Sequence, residues 1–171
     1  MTRPARVRIV HLTAAIFEAL ARQDLVAANA LSPVPLSAYL AGPDNAGTWR
    51  RRHRQVLADP AEAAWVTGVI WDEDGRRAVG RAGFHGLPSP AGLAEIGYAV
   101  DPAFRRLGYA TAALGVLLDR AAREPAVRTV RLSISPDNVA SLALAHRFGF
   151  VQVGEQWDDE DGRELVHERA S

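Results

Sequence analysis

Hydrophobic and polar positions alternate in Val7-Arg8-Ile9-Val10-His11-Leu12, the period of a half-buried strand. Thr13 is a good N-cap for a helix over residues 14–23, with Ile16, Phe17 and Leu20 as its inner stripe. The pattern lapses between residues 31 and 48, where Pro33, Pro35, Gly42, Pro43 and Gly47 forbid one regular element; such a loop either borders a substrate site or is a surface connection. Helical spacing resumes after Thr48, the expected cap of a second helix with Trp49, Val56 and Leu57 inward and Arg50, Arg51, Arg52 and Arg54 in solvent. Two apolar runs, Trp65-Val66-Thr67-Gly68-Val69-Ile70-Trp71 and Ala78-Val79-Gly80-Arg81-Ala82-Gly83-Phe84, flank Asp72-Glu73-Asp74-Gly75 and predict a hairpin.

A turn at residues 88–92 leads antiparallel into a strand over Glu95-Ile96-Gly97-Tyr98-Ala99-Val100, which Asp101-Pro102 breaks. From Tyr109 onward Ala110, Ala113, Leu114, Leu117 and Ala121 recur at helical spacing, Pro125 stops the helix, and Val130, Leu132 and Ile134 mark a strand over residues 129–135. Strand, helix, strand implies a right-handed crossover and a parallel pair. Asn138 caps a last helix ending at Gly149, and residues 150–157 and 163–168 form a final hairpin around Asp158-Asp159-Glu160-Asp161-Gly162. The fold class is α/β with a mixed sheet, one domain over residues 1–171, without repeat, low-complexity tract or linker.

At 171 residues the chain can bury roughly two-thirds of its unfolded surface unaided, so monomer and homodimer both remain open. Twenty basic residues balance twenty acidic ones, which argues against a nucleic-acid or membrane-surface partner. With no cysteine there are no disulfides, thiolate nucleophiles or thiolate metal ligands, and since every basic residue is arginine there is no Schiff-base or P-loop lysine. The five histidines show no His-x-x-x-His spacing, so no metal is expected. No apolar run reaches the ~20 residues of a membrane span, and Met1-Thr2-Arg3-Pro4 leads into a strand; the cytoplasm is the expected location.

The chemistry concentrates at the junction Asp101-Pro102-Ala103-Phe104-Arg105-Arg106-Leu107-Gly108-Tyr109-Ala110-Thr111. The first amides of a helix lack intrahelical partners and carry the positive end of its dipole, so a phosphate would fit there. Gly108 lets backbone approach such a ligand, and Arg105 and Arg106 add charge. The alternative is an ordinary turn with solvated arginines.

The spacing Arg105-x-x-Gly108-x-Ala110 resembles the pyrophosphate turn of the GNAT superfamily of acyl-CoA-dependent N-acyltransferases. Asn138-Val139-Ala140-Ser141 followed by Arg147-Phe148-Gly149-Phe150 resembles that family's next helix, and Gly162-Arg163-Glu164-Leu165-Val166 is similar to the branch containing the ribosomal-protein-alanine N-acetyltransferases. The resemblance covers roughly residues 64–169 well and the first 60 in outline. It implies a mostly antiparallel sheet with a splayed parallel central pair, flanking helices, and acetyl-CoA as acyl donor. It also implies a primary amine as acceptor, either a small molecule or a peptide N-terminus.

Carried onto this sequence, it places Tyr98, Ala99 and Val100 along the pantetheine arm, Arg105, Arg106, Leu107, Gly108, Tyr109, Ala110 and Thr111 around the pyrophosphate, and Asn138 on the pantetheine. Glu95 stands where many relatives hold a base, which the reaction needs because an alkyl amine is mostly protonated near neutral pH. The family's usual acid, a tyrosine, is replaced here by Ala145, and Ser141 is the substitute that the ribosomal-protein branch suggests. His146 and Arg147 are within reach of the nucleotide end or belong to the helix surface, and Arg106 departs from the glycine common in relatives. The acidic turn from Asp158 either steers a cationic amine or only closes the hairpin. A non-catalytic acyl-CoA binding or sensing module is the competing reading.

Overall fold

The computed structural model describes residues 5–159 and 162–171. Seven strands form one sheet in the order β1-β2-β3-β4-β5-β7-β6: β1 (Val7–Val10), β2 (Gly68–Asp72), β3 (Arg77–Phe84), β4 (Leu93–Val100), β5 (Thr129–Ile134), β6 (Val151–Asp158) and β7 (Gly162–Ala170). All neighbours are antiparallel except β4 and β5, which run parallel, as the crossover through helix α4 (Tyr109–Arg123) requires. That pair is joined only at Leu93–Thr129, Ala94–Val130 and Glu95–Arg131. Beyond it β4 stays paired to β3 through Val100, and β5 to β7 through Ile134, so the two strands splay apart.

Helices α1 (Ala14–Ala21), α2 (Leu25–Leu31) and α3 (Pro43–Ala58) cover one face at the β1–β3 end, burying Phe17, Leu20, Trp49, Val69 and Trp71 in one cluster. The opposite face packs on α4, with Ile70, Val79, Ile96, Leu114, Leu117 and Val130 in the second cluster. Fully burying side chains of this size is worth about 1.5 to 3 kcal/mol each, so the two clusters hold the sheet from both sides. Helix α5 (Val139–Arg147) follows β5, with Asn138 accepting from Ser141 N–H at 3.1 Å as its cap.

The N-terminal region departs from the sequence expectation in four places. Helix α2 was not foreseen; Asp24 caps it through Ala27 N–H at 2.9 Å, but Val26 and Leu31 are exposed and only Ala28 is buried, so no apolar stripe announces it. Helix α3 starts at Pro43 after Gly42 rather than at Thr48, because proline's fixed φ suits the first helical position and its missing N–H would lack an intrahelical partner there. Its inner stripe runs through Asn45, Trp49, Arg52 and Val56, which leaves Leu57 exposed instead of buried. Arg52, expected in solvent, is 4% exposed. Its Nε donates to Thr67 Oγ1 at 3.1 Å, and Nη1 donates to Gln55 Oε1 at 2.9 Å and His85 O at 3.1 Å; these partners make burial of the cation tolerable. Burial, then Arg51 and Arg81, push its pKa down to about 10, and at neutral pH it remains a guanidinium.

Candidate active site

At the end of β4, Asp101 accepts from Ala103 N–H at 2.9 Å and starts a single 3-10 turn, Pro102–Phe104. Arg106 then adopts φ 63° and Gly108 φ 85°. The arginine that replaces a common glycine therefore holds a left-handed conformation, at a cost on the order of 1 kcal/mol. Gly108 is the N-cap of α4 and offers no side-chain cap; a Cβ added there would meet nothing within 4 Å, so the space beside it is open. The α4 N-terminus thus presents its first amides to a ligand with no capping side chain in competition.

Tyr109 anchors this turn. Its hydroxyl donates to Asp72 Oδ2 at 2.7 Å, Phe104 packs edge-on against its ring at 6.3 Å, and Arg77 lies 4.7 Å over the Phe104 ring. Burial opposes ionisation of Asp72, but the Gly75 and Asp74 N–H groups, the Tyr109 hydroxyl and Arg77 together hold its carboxyl below the usual range.

A cleft of about 940 Å³ opens where the strands part. Tyr98, Ala99, Val100, Arg105, Arg106, Gly108, Tyr109, Ala110, Thr111, Asn138 and Ser141 all line it, so the structure brings the expected cofactor residues together. Leu107 does not line it and is exposed. Phe104 and Ala140 from the same motifs also contribute, together with Ser135, Asp137, Ala143 and Leu144, which carried no signal in the sequence. Arg147 spans the mouth from α5, donating to Thr111 Oγ1 on α4 at 3.0 Å. Ala145 is fully buried, leaving no acid at the usual position. The buried Tyr98 hydroxyl finds no hydrogen-bond partner among the described residues. Burial raises its pKa, the nearby Ser141 hydroxyl acts in the opposite sense, and the phenol is protonated at neutral pH.

Glu95 is absent from this lining. Along β4, Glu95, Gly97 and Ala99 share one face while Ile96, Tyr98 and Val100 share the other, toward α4. On the Glu95 face, Ser133 Oγ donates to Glu95 Oε1 at 2.6 Å, and Gln156 Nε2 donates to Ser133 Oγ at 3.1 Å and to Glu164 Oε2 at 2.9 Å. His85, which the sequence did not single out, places Nδ1 3.7 Å from the same Glu95 oxygen. Its Nε2 would lie 2.6 Å from a Cβ on Gly97, so the imidazole rests on the strand where a side chain is missing. Burial, opposed by Glu95 and reinforced by Arg52, Arg51 and Arg81, lowers the His85 pKa and favours the neutral ring.

Among the described residues, no group of three or more His, Asp or Glu side chains is placed to hold a metal ion, and no helix is long and apolar enough to cross a membrane. Of the acidic turn, Glu160 and Asp161 lie outside the described residues.

Known proteins share both the sequence pattern and this architecture. An N-acetyltransferase of Bacillus subtilis (strain 168), YjdG, whose function is uncharacterised, is 31% identical over 83 residues, a match spanning 48% of this chain and 49% of that relative. A putative GNAT-family acetyltransferase from Bordetella pertussis superposes with a TM-score of 0.63 at 25% identity, over 99% of this chain and 98% of the other. The ribosomal-protein-S5-alanine acetyltransferase of Vibrio fischeri shares the fold at a TM-score of 0.65 and 16% identity, over 99% of this chain and 94% of its own. The acetyltransferase (GNAT) domain model matches residues 6–151, which take in the αL turn and both splayed strands, and the chain belongs to that family.

Proposed function

We propose that the protein transfers an acetyl group from acetyl-CoA to a primary amine by direct attack in a ternary complex. The observation that carries this reading is the parting of β4 from β5 just beyond Glu95 and Arg131, which opens one cleft between the two strands and the uncapped N-terminus of α4. The residues present fit the co-substrate. The amides from Gly108 to Thr111, with Arg105 and Arg106, would hold the pyrophosphate, and the free edge of Tyr98–Val100 would pair with the pantetheine arm. Bound acetyl-CoA supplies an activated thioester.

The chain does the rest. A backbone N–H on the free edge of β4 stabilises charge developing on the carbonyl oxygen, at no cost of reorganisation. The Glu95 face receives the proton that the amine must lose. Ser141 lines the cleft, and its hydroxyl is the donor available to the departing thiolate in place of the absent tyrosine at Ala145. A hydroxyl at Ser141 in the cleft favours the transferase reading over a mere acyl-CoA sensor despite that departure.

The acceptor is a small-molecule amine or a peptide N-terminus. A panel of polyamines, amino acids, aminoglycosides and alanine- or serine-initiated peptides, incubated with acetyl-CoA, would show an acetyl mass shift on at least one member together with thiol release. Tight acetyl-CoA binding with no product from any amine would support the sensor reading instead.

A further inference from the structure

We propose that His85, rather than Glu95, takes the proton from the acceptor amine, and that Glu95 is the residue that positions its imidazole. This rests on the transferase reading above.

Several independent contacts fix His85. Its backbone N–H donates to Glu95 O at 2.7 Å, and its carbonyl accepts from Arg52 Nη1 at 3.1 Å and Gln55 Nε2 at 2.7 Å. The loop residue is thereby held to β4 on one side and to α3 on the other. Gly97 provides room for the ring to lie against the strand, one residue pair from Ala99 in the cleft. The side chain keeps 42% of its surface.

Glu95 is less suited to the task. Its Oε1 already accepts the Ser133 hydroxyl, its side chain keeps 22% of its surface, and it sits where β4 is still paired to β5. A carboxylate facing Nδ1 favours the tautomer with the proton on that nitrogen, which leaves the Nε2 lone pair free over Gly97. At 3.7 Å the contact is electrostatic rather than a hydrogen bond, and such contacts tighten once a substrate is in place. Imidazole is also the stronger base of the two side-chain types.

The charged groups facing the ring are Glu95 from β4, Arg81 from β3 and Arg51 and Arg52 from α3, while Glu62 is spent on Leu87 N–H at 2.9 Å. With burial, the arginines outweigh Glu95, so the ring is neutral and able to accept a proton at physiological pH. The step balances simply. The amine lone pair forms the C–N bond, the C–S pair leaves on sulfur, the N–H proton passes to Nε2, and the imidazolium releases it to solvent.

The test uses the best acceptor from the amine panel. His85→Gln should lower kcat by about 100-fold, the lower end for loss of a general base, with acetyl-CoA affinity unchanged and the melting curve near wild type. His85→Ala should regain activity with added imidazole. The acidic limb of kcat/KM should lie below pH ~6.5 in the wild type, the unperturbed value for histidine. Because Glu95 raises the His85 pKa, Glu95→Gln should keep that limb and move it to lower pH. An NMR titration of the His85 ring carbons, which needs no acceptor, should show the same downward move.

A Glu95→Gln enzyme without an acidic limb, beside a His85→Gln enzyme that retains it, would overturn the assignment and make Glu95 the base. Equal His85 midpoints with and without the carboxylate would overturn the positioning role. If the wild type acetylates no amine at all, the transferase reading falls and the base assignment with it. If transfer proceeds and only the His85 variants behave as wild type, the assignment falls alone.

Discussion

Strand β4 has two faces that are built in different ways. Toward α4, Tyr98 and Val100 border a cleft whose lining comes from two short stretches of chain, residues 98–111 with the αL turn and residues 135–147. On the other face Glu95 meets His85 and Ser133, which in turn bond Arg52 of helix α3 and Gln156 of β6, so five segments must assemble to form it. The cofactor side is recognised by backbone and can be encoded locally. On the reading proposed above, the acceptor would be recognised by side chains, in a site that exists only in the folded molecule.

Substitutions can break that contrast, and the largest effect is expected at the hidden cation. Arg52→Leu removes the buried donor shared by Thr67, Gln55 and His85. It should cost about 2 to 3 kcal/mol of stability in urea unfolding and lower turnover, while calorimetry shows acetyl-CoA affinity nearly unchanged. A matching loss of cofactor affinity would show that the two faces are not separable.

On the cofactor side, Gly108→Val should weaken acetyl-CoA binding at least about tenfold, or ~1.4 kcal/mol, with the acceptor KM little altered. The added side chain has space at Cβ, so the penalty comes from φ 85° and from occupying the anion's place. Wild-type affinity in a folded variant would remove the turn from the site.

How much of each face was legible follows from the same contrast. Arg105, Gly108 and Asn138 lie within short motifs whose spacing is set by turn and helix geometry, and the structure puts them around one cleft. The strained Arg106 was visible as a departure from glycine, and its φ of 63° bears that out. His85 follows a strand among turn residues and resembles any loop histidine until Glu95 and Gly97 come beside it. Arg52 sits in a run of four basic residues within α3, where the ordinary expectation is solvent, and only Thr67 and the His85 carbonyl explain its burial. Helix α2 escaped because its outer positions are as apolar as its inner one.

A smaller effect is expected where β2 anchors the start of α4. Asp72→Asn weakens the bond to Tyr109 and should cost about 1 kcal/mol near neutral pH. The folded pKa of Asp72 lies below the unfolded value, so its contribution is full above pH ~4 and fades as pH falls through the folded pKa. The deficit of the variant should shrink accordingly in acid melts. A constant deficit down to pH 2 would assign the effect to packing alone.

The smallest effect is expected at the acidic turn. Changing Asp158, Asp159 and Glu160 to amides should raise KM for a polycationic acceptor less than about threefold at low salt and leave kcat intact, since screening acts over ~8 Å at physiological ionic strength. An unchanged KM at low salt would make the turn purely structural and shift acceptor choice toward the loop before α3.

Strand β7 lies between β5 and β6, although it is the last of the seven to be synthesised. Until it emerges, the edge of β5 that it pairs with is empty from Thr129 to Ile134, and β6 has no strand to pair with. The polar network running from Glu164 to Glu95 is therefore among the last parts of the molecule to form. A nascent chain stalled before β7 would complete its cofactor turn first, with the acceptor face unfinished and an unpaired edge of β5 exposed to other chains.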